Sequence, residues 1–479
     1  MNIVTIVTDT FRSDIIGPDK KLSFVKTPNL DALAAESVVF ENAFGEGQPT
    51  LQARRGFFTG RRSFPFVHNF DRRGHTHHQP GWHKIPPHED TLAELLCARG
   101  YCTGLVADCY HMFKPSLNYT RGFASYEFIR GQESDAWKTG TPEMIADLVG
   151  RHVRRPEDAR PGSGTYRYLQ NQRWRQSEDD YQTARVFRAA DEWLTDNARN
   201  TPFLLWIEAF DPHEPWDPPR RYADMYCPDY EGIDFIAHGH AGPDATEKEI
   251  ERIKALYYGE VTFLDDWVGR LLKRIEQLGL KDDTALFVLS DHGTQVMDHG
   301  KFGKGGGNMR AYNTGIVWQM RLPGVAPQRI PALVQGHDVM PTILDILDVR
   351  YDRAEGLSVM PLVRGEVECL RDKIVIGWAL SSEGNARAGV SVRTPQWNYA
   401  TLSHTDERQV LFDLASDPDE NENVLDAHPD IVAELRREIE AVIGQPLPAL
   451  LNEVCDRARS TGHLYQQARR AQESLATGH

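Results

Sequence analysis

An α/β fold is what this 479-residue chain predicts: a mainly parallel central sheet flanked by helices, plus a small C-terminal antiparallel sheet with a helix. Three observations carry that expectation. Apolar runs of strand length end in polar residues: residues 3–8 at Asp9, 203–209 at Asp211-Pro212-His213, and 284–290 at Asp291-His292. Helical patterns alternate with them, and strand–helix alternation builds parallel sheets. After about residue 365 the texture changes to closely spaced short strands, which divides the chain into residues 1–365 and 366–479.

In order along the chain, residues 3–8 are β-branched and apolar, as a strand buried on both faces requires. Thr27-Pro28 starts a helix through Ala34, and Val38-Val39-Phe40 reads as a short strand. Residues 91–99 form a helix closed by Gly100, and residues 103–107 a strand. Residues 131–164 are polar and broken by Pro and Gly, as in an insertion or lid. Residues 179–197 and 247–278 have helical spacing, the second stopped by Gly279. Residues 373–377, 389–393 and 409–414 read as strands, 429–443 as a helix, and the tail from Asp456 as a polar surface helix or arm.

Composition narrows the function classes. A net charge of −15 argues against a nucleic-acid surface, which needs a basic face. A local pocket of Arg, Lys, His and metal can still take a small anion. No stretch reaches the apolar run of about 20 residues that spans a bilayer. The first residues lack the features of a secretory leader. The six cysteines are scattered and form no metal-binding pair, so reduced thiols in a cytoplasmic protein are expected.

In open α/β sheets ligands bind beyond the carboxyl ends of strands. Asp9, His213, Asp291 and His292 all fall there. Carboxylate and imidazole together suit a divalent ion, with Mn or Zn favoured and Ca or Mg tolerated. The run Pro49-Thr50-Leu51-Gln52-Ala53-Arg54 leads into Thr59-Gly60-Arg61. A second run reads Ser290-Asp291-His292-Gly293, then Asp298-His299-Gly300-Lys301-Phe302-Gly303-Lys304.

These runs resemble the signatures of the sulfatases and phosphonate monoester hydrolases of the alkaline phosphatase superfamily. That family carries Cys-x-Pro-x-Arg, a short apolar turn and Thr-Gly-Arg. Its arginine falls on Arg54, its proline on Gln52, and its cysteine, the precursor of formylglycine, on Thr50. The family's leading Asp-Asp falls on Asp9 and Thr10. Leu411-Phe412-Asp413-Leu414 and Asp417-Pro418-Asp419-Glu420 match its closing pattern. The resemblance implies one divalent ion on Asp9, Asp291 and His292, with the Thr50 oxygen as a further ligand. It implies catalytic roles for Thr50, Arg54, His213 and Lys304, and substrate contacts for His111 and His299. The family's remaining lysine falls on Asp108. The run Arg72-Arg73-Gly74-His75-Thr76-His77-His78 is read as a solvated loop at the substrate entrance.

Threonine alters the chemistry. Formylglycine hydrate expels sulfate through its second hydroxyl, which threonine lacks, so a threonyl ester must be opened by water. Phosphate and phosphonate esters suit that route. The expectation is a metal-dependent hydrolase of small anionic phosphate, phosphonate or sulfate esters with Thr50 as nucleophile. A sulfatase proper, a phosphomutase or transferase, and an inactive ligand-binding homologue are the alternatives. Homo-oligomerisation is left open.

Overall fold

The structure, a computed structural model, describes residues 1–66, 81–113, 117–304, 308–382, 385–403 and 409–447. The Arg72–His78 run, the tail from Asp456 and part of the glycine-rich loop after Lys304 lie outside these residues.

The strands in chain order are β1 Asn2–Thr8, β2 Val38–Phe44, β3 Gly47–Gln48, β4 Cys102–Ala107, β5 Ser125–Phe128, β6 Phe203–Ala209 and β7 Thr284–Ser290. They continue with β8 Gln295–Val296, β9 Phe302–Gly303, β10 Trp318–Arg321, β11 Gln328–Gln335, β12 Ile374–Ser382, β13 Asn385–Arg393, β14 Trp397–Ser403 and β15 Gln409–Asp413. Eight of them form the central sheet in the order β11-β2-β10-β7-β1-β6-β4-β5. Only β10 runs against its neighbours. The expected α/β class, mainly parallel, is what the chain adopts.

The central strands β1, β6 and β7 are buried at every position, as the continuous apolar runs require. The helices Gln182–Asn197 and Glu247–Gln277 cover one face of the sheet, whose core includes Ile6, Leu205, Ile207, Phe187 and Leu264. The other face packs Val7, Leu204, Trp206 and Leu289 against Phe57 and Phe58 of the helix Leu51–Thr59. The long helix opens with a capping box from Thr246 to Glu249, which supplies its first free amides with acceptors.

Residues 131–164, expected as an irregular insertion, include short helical segments at Pro142–Ile145, Ala146–His152 and Pro156–Ala159. Ile145 anchors them in the main core. A second sheet, β15-β14-β13-β12-β3, is antiparallel except where β12 meets β3. The helix Pro429–Ile443 packs on it through Leu435 and Ile439. No helix among the described residues is long and apolar enough to cross a membrane. The described cysteines are all free.

Candidate active site

Sheet register brings the first acidic residues together. Thr8 lies opposite Ser290 on one side and Ala209 on the other, so Asp9, Asp291 and the Phe210–His213 turn leave the sheet side by side. Asp9, Asp291 and His292 each offer a ligand atom, and these atoms all lie within 4.8 Å of one another. All three side chains are fully buried. His292 Nδ1 donates to the Gly293 carbonyl at 2.8 Å, which leaves Nε2 as the acceptor nitrogen. That nitrogen is buried without a hydrogen-bond partner, 3.6 Å from Asp291 Oδ2 and 3.9 Å from Asp9 Oδ1. Burial holds the imidazole neutral, with its pKa pushed down to about 3. Two carboxylates facing a neutral imidazole with an orphaned lone pair fit one divalent cation.

The two carboxyls behave oppositely. Burial pushes Asp291 well above the usual carboxylate range, and the Asp9 charge adds to it. Burial works the same way on Asp9, but Arg54, His213 and His292 outweigh it and hold that carboxyl low. Thr10, where the resemblance would place a second aspartate, instead donates its hydroxyl to Asp9 Oδ1 at 2.8 Å and its amide to Asp291 Oδ1 at 3.0 Å.

Thr50 precedes the helix Leu51–Thr59, with φ 53° and ψ −94°. Its hydroxyl caps no amide of that helix. Arg54 Nη1, one turn on, donates to the Thr50 carbonyl at 3.2 Å, Asp9 Oδ2 at 2.9 Å and Asp291 Oδ2 at 3.1 Å. Its Nε pairs with Glu208 at 2.8 Å, while Nη2 is buried without a partner. Thus Thr50, Arg54 and the acidic pair form one constellation. Glu208 is the member that sequence reasoning missed. Its signal was a glutamate within the apolar run Phe203–Ala209, where a charge needs a partner.

His213 and Lys304 lie within electrostatic reach of the triad, since both charges act on His292. His213 stacks on Phe210 with ring centroids 4.3 Å apart, and its Nδ1 donates to the Glu214 carbonyl at 2.5 Å. Lys304 forms an ion pair with Glu214. His111 sits on Phe210 at 6.0 Å and bonds Glu133 at 3.0 Å. His299 is exposed and leans on Tyr312, and no contact described for it reaches the triad. Asp108 is buried, accepting from the Phe210 amide at 2.7 Å and from Gln132 at 3.1 Å, so it anchors the turn that carries His213.

Comparison with known proteins bears on the family and the fold. Residues 1–349 match the family model described as Sulfatase, and residues 299–445 match the one described as N-sulphoglucosamine sulphohydrolase, C-terminal. An arylsulfatase of Clostridium perfringens is 26% identical over 475 residues, covering 89% of this chain and 90% of that protein. A choline-sulfatase of Rhizobium meliloti is 24% identical, covering 88% and 82%. The solved phosphonate monoester hydrolase of Agrobacterium radiobacter superposes with a TM-score of 0.69 at 20% identity, covering 93% and 96%.

Proposed function

This chain belongs to the sulfatase family and is an ester hydrolase of that superfamily; from that premise we propose that it hydrolyses phosphate diesters or phosphonate monoesters through Thr50 and one divalent ion. The observation that carries the reading is the buried Asp9–Asp291–His292 cluster with its unpartnered imidazole nitrogen, joined through Arg54 to a threonine at positive φ. The ion, Mn or Zn by the donor set, would supply positive charge that polarises a bound oxyanion and acidifies a nearby hydroxyl.

The chain's residues divide the remaining work. Thr50 Oγ1, its proton lost to solvent from the acidified hydroxyl, attacks the central phosphorus in line as the bond to the leaving oxygen breaks, and carries the group transiently. Arg54 fixes the Thr50 carbonyl and the acidic pair, and its free Nη2 donates to an oxygen of the anion. The Glu214 carbonyl holds His213 Nδ1, so Nε2 faces the leaving oxygen and gives it a proton. Lys304, ion-paired with Glu214, donates a hydrogen bond to the transferring group. Water then opens the threonyl ester at phosphorus.

The relatives' printed names, arylsulfatase and choline-sulfatase, favour sulfate esters as the second reading. A panel of matched aryl phosphodiesters, phosphonate monoesters and sulfates, assayed with Mn²⁺ and with chelator, separates the two. Faster turnover of the phosphorus esters is expected, lost on chelation. A clear preference for the sulfate overturns the weighting of threonine.

A further inference from the structure

One carboxylate serves three basic side chains beside the triad. Glu214 pairs with Lys304, its Oε2 lies 3.5 Å from His213 Nδ1, and its Oε1 lies 3.7 Å from His238 Nε2. All of these side chains but His238 are less than a fifth exposed, with Glu214 at 17%, His213 at 13% and Lys304 at 11%. Ion pairs this enclosed are poorly screened by solvent.

We propose that Glu214 sets the charge of the ester this site accepts: by neutralising Lys304 it favours substrates with one negative charge over dianionic phosphate monoesters. The inference rests on the ester-hydrolase reading above and narrows its substrate class. Around the triad, Asp9, Asp291, Glu208 and Glu214 face Arg54 and Lys304. A divalent ion would bring these carboxylates, Arg54 and Lys304 to electrical balance, so that the only further positive charge is the proton His213 hands to the leaving oxygen. The cost of desolvating an anion grows steeply with its charge. A balanced pocket repays a monoanion through directed hydrogen bonds and lacks the surplus charge that a dianion needs. Phosphate monoesters are largely dianionic above their second pKa of about 6. Phosphodiesters, phosphonate monoesters and sulfate esters carry a single charge.

The test is binding to the Mn²⁺-loaded Thr50→Ala protein, in which turnover is suppressed. Calorimetry at pH 8 compares dimethyl phosphate, a monoanion, with methyl phosphate, a dianion. With Glu214 intact, dimethyl phosphate should bind more tightly. Glu214→Gln should raise the relative affinity for methyl phosphate by about tenfold, the scale of one partly screened charge contact. Glu214→Asp should restore the original order. Adding Lys304→Gln to Glu214→Gln should abolish the gain, which a merely structural role for Glu214 would not do. Should Glu214→Gln fail to fold, Lys304→Gln alone should weaken methyl phosphate further relative to dimethyl phosphate. An unchanged ratio, a gain that persists without Lys304, or binding of neither anion overturns the proposal. Hydrolysis by the Thr50 protein is scored separately: if it cleaves none of the esters, the reading of function fails while the binding ratio still decides the role of Glu214.

Discussion

A branched side chain at positive φ crowds its own backbone, and two such threonines stand in this site: Thr10 at 62° and Thr50 at 53°. Each costs about 1–3 kcal/mol and persists only where surrounding contacts enforce it. Thr10 is repaid by its bonds to Asp9 and Asp291. Thr50 has no such local return through helix capping, which supports the proposed role for its hydroxyl. Thr50→Ala should therefore keep the fold and lower turnover severely, since nucleophile removal in other hydrolases costs on the order of a million-fold. Thr50→Ser should retain part of the activity, read by steady-state kinetics. Near-normal rates in Thr50→Ala would remove Thr50 from the mechanism. Asp291→Ala should lose the bound metal, measured by elemental analysis of the purified protein, and turnover with it. Retention of a stoichiometric metal would sink the ligand assignment.

At the scale of elements, the helix Leu51–Thr59 carries both Arg54 and the threonine before it, and it rests on His337. A methyl group placed on Gly56 would meet the His337 backbone at 3.5 Å, so the two segments are already in close contact. Burial lowers the His337 pKa from the ordinary 6.5 to about 4. Between those values the unfolded chain takes a proton that the folded chain refuses. The stabilisation is intact above pH 6.5 and is lost as the pH falls towards 4, a loss of about 2 kcal/mol between pH 7 and pH 5. Denaturant midpoints should show wild type falling more steeply than His337→Gln over that window, and parallel curves would contradict it. His337 was invisible in the sequence because nothing in Gly336-His337-Asp338 announces burial. The same limit explains which elements were legible. Residues 203–209, 284–290 and 429–443 were readable because unbroken apolar runs or helical spacing leave one choice of structure. The strand Trp318–Arg321 has only four residues, and Trp397–Ser403 mixes Asn, Thr and Ser, so neither shows a clean period. Asp9, Asp291 and His292 were legible because charge at the end of an apolar strand needs a reason. Glu208 lies inside such a run, which signals a buried partner without naming it; the structure supplies the Arg54 ion pair and a hydrogen bond from Trp206 Nε1 at 2.8 Å.

Across the whole molecule, the site is closed by both sheets. The two-residue strand Gly47–Gln48, just upstream of Thr50, pairs with Gly377 and Trp378 of the second sheet and not with the central one. Trp378 also lies against His292, with ring centroids 4.9 Å apart. Gln48 returns across the gap, donating to the Asp291 carbonyl at 3.1 Å and the Thr314 carbonyl at 3.0 Å. The second sheet therefore holds the segment before Thr50 and one wall of the histidine. Gly377 is where this junction can be tested without touching a reacting group. A methyl group there would come within 2.2 Å of the Phe64 ring, inside the cluster under the second sheet. Gly377→Ala should destabilise the chain by about 1–3 kcal/mol, the usual cost of overpacking a close-fitted interior. If β12 moves away from Phe64 to relieve the contact, it carries β3, paired at Gly377↔Gly47, with it, and kcat should fall as well, with metal content preserved since Asp9, Asp291 and His292 lie on other segments. Gly150→Ala is the control, as a methyl group at that helical position meets nothing within 4 Å. Its turnover should match that of the wild type, and its stability should be equal or higher by up to about 1 kcal/mol, the helix preference of Ala over Gly. A Gly377→Ala protein with lowered stability and unchanged kcat would show that the second sheet supports the fold without setting the position of Thr50.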